Sequence, residues 1–431
     1  MLKVFQLIIS CSPILLIGQE VLLLDQAINV ALDQNFSIAV AKINQRVAEI
    51  AVYRSNAGFG PTIDLNANAN GTLNNVNQNY IDGREVRRFG RSIAPNANVA
   101  LDWILYDGGG MQATLERLQE VSAASTVETQ LQMQEIVVQV MEAYYEVVRQ
   151  KDRETFLNTI IKYYEDRLRI TEERWRVGRG SKLDFLQSKT DLNAQLSERS
   201  IAANQLRNAK VNLNGLLNRD LHQDFEVVQV ETVAKQYDLD ELRELAKNQN
   251  RDLILLQRLR NINLLAEKEI EAGKRPTLGL RSTLGYAYLN TNAGFLLSNQ
   301  NASFSAGLSA RWNLFDGKHL QNQIAIAQLE TQRTEKQYDL VFQQIISDLT
   351  SAYNQFVTDQ ELLSFERDNQ ALAEENLSIS VEKFKLGDSS ILEVNEAQRT
   401  YDTAISRLVN AQHNARLSEL ELLRLSGSLV R

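Results

Sequence analysis

The chain carries its own plan twice. Arg174-Trp175-Arg176-Val177-Gly178-Arg179-Gly180-Ser181-Lys182-Leu183-Asp184 returns 209 positions later as Lys383-Phe384-Lys385-Leu386-Gly387-Asp388-Ser389-Ser390-Ile391-Leu392-Glu393. In both copies a basic, amphipathic helix end meets a glycine and turns through a short polar stretch with a serine. A helix then restarts with an apolar residue and a carboxylate, which predicts the tip of a helical hairpin. Tyr144 and Tyr353, Trp103 and Trp312, and Asp107-Gly108 and Asp316-Gly317 keep the same offset. Nearer the start of each copy the offset is 215, pairing Leu24-Asp25 with Leu239-Asp240, Asn35 with Asn250 and Pro61 with Pro276. A length difference of six residues therefore lies between Pro61 and Trp103. Such a duplication overrides the two or three domains that 431 residues would otherwise suggest, and predicts one pseudo-symmetric body. The expected organisation is a signal segment over residues 1–18, repeat one over 19–235 and repeat two over 236–431.

One lysine precedes an apolar run from Val4 to Ile17, broken by Gln6, Ser10 and Ser12 and ending in Gly18-Gln19-Glu20, the pattern of a short secretory signal. Cleavage after Gly18 suits the small residue there, whereas Leu16 departs from the usual pattern. The only cysteine, Cys11, follows Ile8-Ile9-Ser10. It reads either as a lipid-attachment site or as a cysteine inside a discarded signal, and the apolar run continuing past it favours the second. Either way the exported body has no disulfide. The formal charge of -8, with Lys and Arg interspersed among Asp and Glu, argues against nucleic acid as a partner.

From Leu24 to Asn56 neither glycine nor proline interrupts a helical pattern, and Gly58, Gly60 and Pro61 stop it. The pattern then switches to period two: Ile63, Leu65, Ala67 and Ala69 alternate with polar residues, mostly asparagine, as in a strand with one apolar and one polar face. A polar loop from Asn74 to Ser92 is expected before a second alternating run, Ala97, Val99, Leu101 and Trp103. The two runs predict an antiparallel pair of about the ten residues that a tilted membrane strand needs, with a polar face suited to a water-filled lumen. Gly108-Gly109-Gly110 lacks the phosphate-loop pattern and reads as a strand-to-helix turn. From Met111 to Arg176 the chain has no glycine or proline, enough for a helix about 100 Å long. Within it Ile136, Val140, Ala143 and Val147 form a coiled-coil seam, repeated by Ile345, Leu349, Ala352 and Phe356. A shorter helix follows the tip, from Ser181 to Asn218, and repeat two restates the plan.

Two repeats supply only four strands, too few to close a barrel, and lipid-facing strands cannot leave edges unpaired. The chain is therefore expected to oligomerise. Isolated His222, His319 and His413 and the lack of any nucleophile and base constellation point to no metal site, no cofactor and no enzyme.

Signal segment, duplicated helix, β-hairpin, long helix and the Val177-Gly178 or Leu386-Gly387 tip together resemble the outer membrane efflux protein (TolC) family over essentially the whole mature chain. The resemblance implies a mainly α protein with a membrane β-barrel portion. Three chains would contribute four strands each to one barrel in the outer membrane, continued by an α-helical tunnel across the periplasm. It implies a passive exit duct for a tripartite efflux pump or type I secretion system. Its partners would be a homotrimer, a periplasmic adaptor (membrane fusion) protein, an inner-membrane transporter of the RND or ABC type, and outer membrane lipid. The cargo, the pump class and the resting state of the tip stay open.

Carried onto this chain, the resemblance places a pore ring of carboxylates at Glu393 and Glu396, where a narrow aqueous bore would attract cations and repel anions. It places gate positions at Asp184, Phe384 and Ser389. Phe384 stands where a tyrosine is often found, and Ser389 where some members carry an arginine. These departures weigh against a hydrogen-bonded or salt-bridged lock and leave an apolar constriction at Phe384 as the alternative. Adaptor docking falls on the tips: Arg174, Val177, Gly178 and Ser181 in the first, Lys383, Leu386, Gly387 and Ser390 in the second. Trp103 and Trp312 would mark the membrane interface. The bland readings are solvated glutamates, glycines that merely stop helices, and core tryptophans. A non-conducting periplasmic coiled-coil scaffold or tether is the alternative function, although a tether needs no lipid-facing alternation.

Overall fold

A computed structural model describes residues 20–228, 236–292 and 296–429. The expected signal segment, with Cys11 and the cleavage position, lies outside the described residues. In chain order the elements are β1 (Glu20–Leu22), α1 (Leu24–Gln34), α2 (Phe36–Ala51), β2 (Thr62–Asn79), β3 (Glu85–Tyr106), α3 (Gly110–Arg176) and α4 (Lys182–Leu216). Then come β4 (Phe225–Val227), α5 (Leu239–Gln249), α6 (Arg251–Glu271), β5 (Thr277–Thr291), β6 (Ser298–Arg311), α7 (His319–Leu386) and α8 (Ile391–Ser426). The succession of two short helices, two strands, a long helix and a medium helix occurs twice. The chain divides into two compact units, one holding residues 43–128 and 252–341, the other holding the segments up to 42, from 129 to 251 and from 342 on.

The first of these contains one sheet in the order β2-β3-β5-β6, antiparallel throughout. Pairing of β3 with β5 joins the two repeats, and β2 and β6 each keep an open edge among the described residues. The register confirms the alternation. Ile63, Leu65 and Ala67 face Leu101, Val99 and Ala97 across the ladder, while Asn66 and Asn68 face Asn98 and Asn96. On the polar face the asparagine amides reach one another at 3.4 and 3.5 Å, and Arg281 pairs with Asp102 at 2.5 Å. The segment expected as a loop, Asn74 to Ser92, is instead mostly strand: the ladder continues to Asn79 opposite Glu85, and only the Tyr80–Arg84 turn interrupts it. Period-two alternation fails as a signal where both faces are polar, yet the backbone ladder does not require apolar side chains. Asp82-Gly83 marked the true turn, with Gly83 at φ 83°.

Asp107 caps α3 by accepting the Gly109 and Met111 N–H groups at 3.2 and 2.6 Å, as Asp316 accepts that of Leu320 at 2.8 Å. Gly108 has φ 82°, and a Cβ there would lie 2.3 Å from the Ala272 carbonyl oxygen, so no other residue fits this turn without movement.

The second unit is helical, with β1 and β4 paired in parallel. Its predicted seams are buried: Ile136, Val140 and Val147 on α3, Ile345, Leu349 and Phe356 on α7. The fully buried Tyr144 donates its hydroxyl proton toward the Leu22 and Val228 carbonyls at 3.0 and 3.1 Å. Its counterpart Tyr353 reaches the Tyr237 carbonyl at 3.3 Å.

The single helix expected from Leu24 to Asn56 is two helices, broken at Asn35 and ended at Ala51. The sequence shows no glycine or proline at the break because the side chain makes it. Asn35 takes an extended conformation, accepts the Ser37 N–H at 2.9 Å as a cap for α2, and donates its amide to the Leu216 carbonyl at 2.9 Å. Asn250, its repeat partner, is also extended, splits α5 from α6, and donates to the Leu425 carbonyl at 3.1 Å.

Candidate functional site: the two helical tips

Both tips end their long helix in the same backbone motif. At the first, Gly178 donates to the Trp175 carbonyl at 3.0 Å and Arg179 to that of Arg174 at 2.8 Å; at the second, Gly387 donates to Phe384 at 3.1 Å and Asp388 to Lys383 at 2.9 Å. Gly178 and Gly387 sit at φ 73° and 94°, the left-handed conformation that this reversal requires and that side chains resist. Gly180 serves differently: a Cβ there would lie 2.8 Å from that of Arg174.

The following helix is capped by serine in each copy. Ser181 Oγ accepts the Leu183 N–H at 3.0 Å, and Ser390 Oγ accepts the Glu393 N–H at 3.3 Å. In the second tip the Glu393 carboxylate returns the contact, accepting the Ser389 hydroxyl at 2.7 Å and the Ser390 hydroxyl at 3.3 Å. Glu393 is thus tied to both serine hydroxyls of the turn while standing exposed, and Ser389 is held on it. Glu396 is exposed one turn further along the same side of α8. Asp184 is half-buried in the first turn of α4, where the helix dipole favours a negative charge.

Side chains divide the tips. The repeat-equivalent pairs are Trp175 with Phe185 and Phe384 with Val394. In the first tip Trp175 is 37% exposed and stacks on Phe185 with ring centroids 5.2 Å apart. In the second, Phe384 is only 4% exposed and packs with Val394 and Val381 in a core cluster. Arg174 covers it, with its guanidinium 4.3 Å from the ring centroid and a hydrogen bond donated to the Phe384 carbonyl. Phe384, expected at a constriction, is an internal packing residue in this structure. Arg174, expected on the docking surface, reaches across to the second tip. Val177 and Leu386 remain 68% and 77% exposed, joined by Leu183 and Leu392, which sequence reasoning did not single out.

Below the tips lies a buried polar cluster. Arg167, 3% exposed on α3, donates to Asp191 of α4 at 2.5 Å and to Gln398 of α8 at 2.6 Å, and also to Asn395. Its guanidinium stands 4.8 Å from the Tyr164 ring, and the Tyr164 hydroxyl donates to Asp402 at 3.1 Å. Burial pushes the Asp402 carboxyl up to about 6, against the lowering effects of the Tyr164 hydrogen bond and the Arg167 charge. A signal for this cluster was present, since Arg167 shares four-three spacing with Ile160, Tyr164, Thr171 and Arg174 and so belongs to the buried stripe.

In the sheet-bearing unit, Trp103 and Trp312 occupy equivalent places. Each indole N–H donates to the carbonyl of a residue ahead of the neighbouring strand, Phe59 at 3.2 Å and Lys274 at 3.1 Å. Trp103 shares the apolar face with Val99 and Leu101, at the strand end nearer the helices.

A family model described as outer membrane efflux protein matches residues 27–219 and 266–428. The chain is 22% identical over 349 residues to outer membrane protein TolC of Escherichia coli, spanning 78% of this chain and 70% of that protein. It is 22% identical to TolC of Vibrio cholerae, spanning 69% and 68%. Among solved structures, VceC of Vibrio cholerae superposes with a TM-score of 0.74 at 18% identity, covering 94% of this chain and 96% of that one. CmeC, an outer membrane channel of Campylobacter jejuni, does so at 0.76 and 16%, covering 94% and 86%. The chain shares its fold with solved outer membrane channels, and it belongs to the outer membrane efflux protein family, whose members sit in the outer membrane and extend into the periplasm.

Proposed function

We propose that three copies of this chain form a passive exit duct: a shared barrel of three four-stranded sheets in the outer membrane, continued by a helical tunnel gated at its periplasmic tips. The observation that carries this reading is the sheet with two open edges, since strands in lipid must pair every backbone group. Two exposed apolar rows add support. On α2, Phe36, Val40, Ile43, Val47 and Ile50 repeat in four-three spacing, and on α7, Phe365, Leu372 and Ile379 recur every seventh residue. Both have the spacing of coiled-coil seams and are left exposed among the described residues, and neighbouring copies would cover them.

In this reading Glu393 and Glu396 form rings at the tunnel mouth, with Asp184 and Ser389 beside the gate. Phe384 would constrict the bore only after leaving its place beneath Arg174. The exposed Val177 and Leu386, with Ser181, Lys383, Ser390 and the glycine turns, would dock a periplasmic adaptor, and an inner-membrane pump or type I secretion transporter would supply energy and choose the cargo. The test is the mass and conductance of the protein taken from outer membranes. A trimer that conducts, and loses cation preference in Glu393→Ala/Glu396→Ala, is the expected result. A soluble monomer or dimer would overturn the barrel, and a conducting double variant with unchanged selectivity would overturn the ring.

A further inference from the structure

The apolar face of β3 ends in a basic strip. Starting from Trp103, same-face residues run through Val99 to Ile93, and the next three are Arg91, Phe89 and Arg87. Across the ladder these three stand opposite Leu73, Asn75 and Asn77, none of them acidic. Ten residues separate Trp103 from Ile93. At ~3.4 Å per residue and a tilt of ~40° that stretch rises about 26 Å, close to the ~25 Å apolar band of an outer-membrane barrel. With Trp103 at the interface nearer the helices, the arginines stand at the height of the opposite headgroups.

Their side chains are available. Arg91 is exposed, and its interactions are made by the backbone, whose N–H and carbonyl both engage Asn292 at 2.7 and 3.1 Å. Arg87 pairs with Glu85 at 2.7 Å with its own side chain 72% exposed, a contact of little strength in water. Phe89, equally outward, is exposed between them. Arg88 points to the other face and reaches the Asn292 carbonyl at 3.3 Å, and Arg84 is held by Asp82 in the turn at 2.7 Å.

We propose that Arg87, Phe89 and Arg91 form a docking strip for the phosphate groups of the outer leaflet's glycolipid headgroups. Guanidinium forks match phosphate oxygens bidentately, and the intervening aromatic ring suits the boundary between acyl chains and headgroups. The strip continues the apolar lipid face without a break, which separates it from arginines that merely solvate a turn. The inference rests on the reading of the sheet as barrel wall.

The test uses full-length protein purified from outer membranes in non-ionic detergent, titrated with bis-phosphorylated lipid A and with its dephosphorylated form, with bound lipid per chain read by native mass spectrometry. Wild type should bind the phosphorylated lipid and lose that preference as salt is raised. Arg87→Ala/Arg91→Ala should weaken binding about thirtyfold, the fold change for ~1 kcal/mol per arginine beside an anionic surface. Arg84→Ala should leave it unchanged. Equal binding of both lipid forms by wild type would overturn the proposal without recourse to any variant, as would unchanged binding in the double variant. Absence of the wild type from the outer membrane would instead strike the duct reading.

Discussion

The two tips share a backbone and differ in what they do with it. Glycine φ angles, crossing hydrogen bonds and serine caps correspond position for position, yet Trp175 stacks in the open while Phe384 is sealed beneath Arg174. The asymmetry has a direction. Repeat one supplies the cations Arg167 and Arg174, and repeat two supplies the ring, the carbonyl, Asn395 and Gln398 that receive them. At the positions equivalent to Arg167, Asn395 and Gln398 the chain has Asn376, Leu186 and Lys189, so the clasp cannot be made in reverse. The two turns share a backbone, and the side chains around them differ so that one tip holds the other.

The largest effect on this asymmetry should come from Arg167→Ala. It leaves the Asp191 carboxylate and two amides without their buried donor, at a cost of about 3 kcal/mol or more. Hydrogen exchange at the ends of α3 and α8 should accelerate together; protection unchanged at both would mean that the cluster holds nothing.

Next in size is the contrast between equivalent aromatics. Phe384→Ala opens a cavity under Arg174 and should cost about 3 kcal/mol, whereas Trp175→Ala, at a partly exposed site, should cost about 1 kcal/mol. Protease sensitivity of the tips, measured on both variants, checks the ranking, and equal losses would remove the difference in burial as an energetic fact.

The smallest effect is a pH dependence. Asp402 corresponds to Asn193 in repeat one, so Asp402→Asn makes the second repeat resemble the first. A carboxyl raised from 3.8 to about 6 binds its proton more tightly in the folded chain than in the unfolded one. Protonation therefore favours the fold: this contribution is present at the acid end, is lost as pH rises through about 6, and is absent at pH 7. Stability of wild type relative to Asp402→Asn should rise as pH falls from 6 toward 4. A difference that stays flat across that interval would show that burial does not perturb the group.

Repeat register, strand alternation, turn glycines and the seams on α3 and α7 were legible in the sequence because each is a local or periodic demand. A reversed helix end needs φ > 0, a half-lipid strand needs period two, and a helix pair needs four-three spacing. The Asn35 and Asn250 breaks were not legible, since their cost is met by carbonyls at Leu216 and Leu425, far along the chain. Nor was the strand from Asn74 to Asn79, where polar residues on both faces erase the period that betrays a strand.

By itself the sequence determined that the chain is built twice, where each copy turns, and that its sheet has an apolar side and too few strands to close. Only the tertiary structure decided which repeat holds which: that Arg174 lies on Phe384, and that Arg167 gathers acceptors from α4 and α8. The physical reason is that a backbone turn is set by the conformational limits of a few adjacent residues. The partner of a long cationic side chain is set by whichever buried acceptors the packed helices bring within its reach.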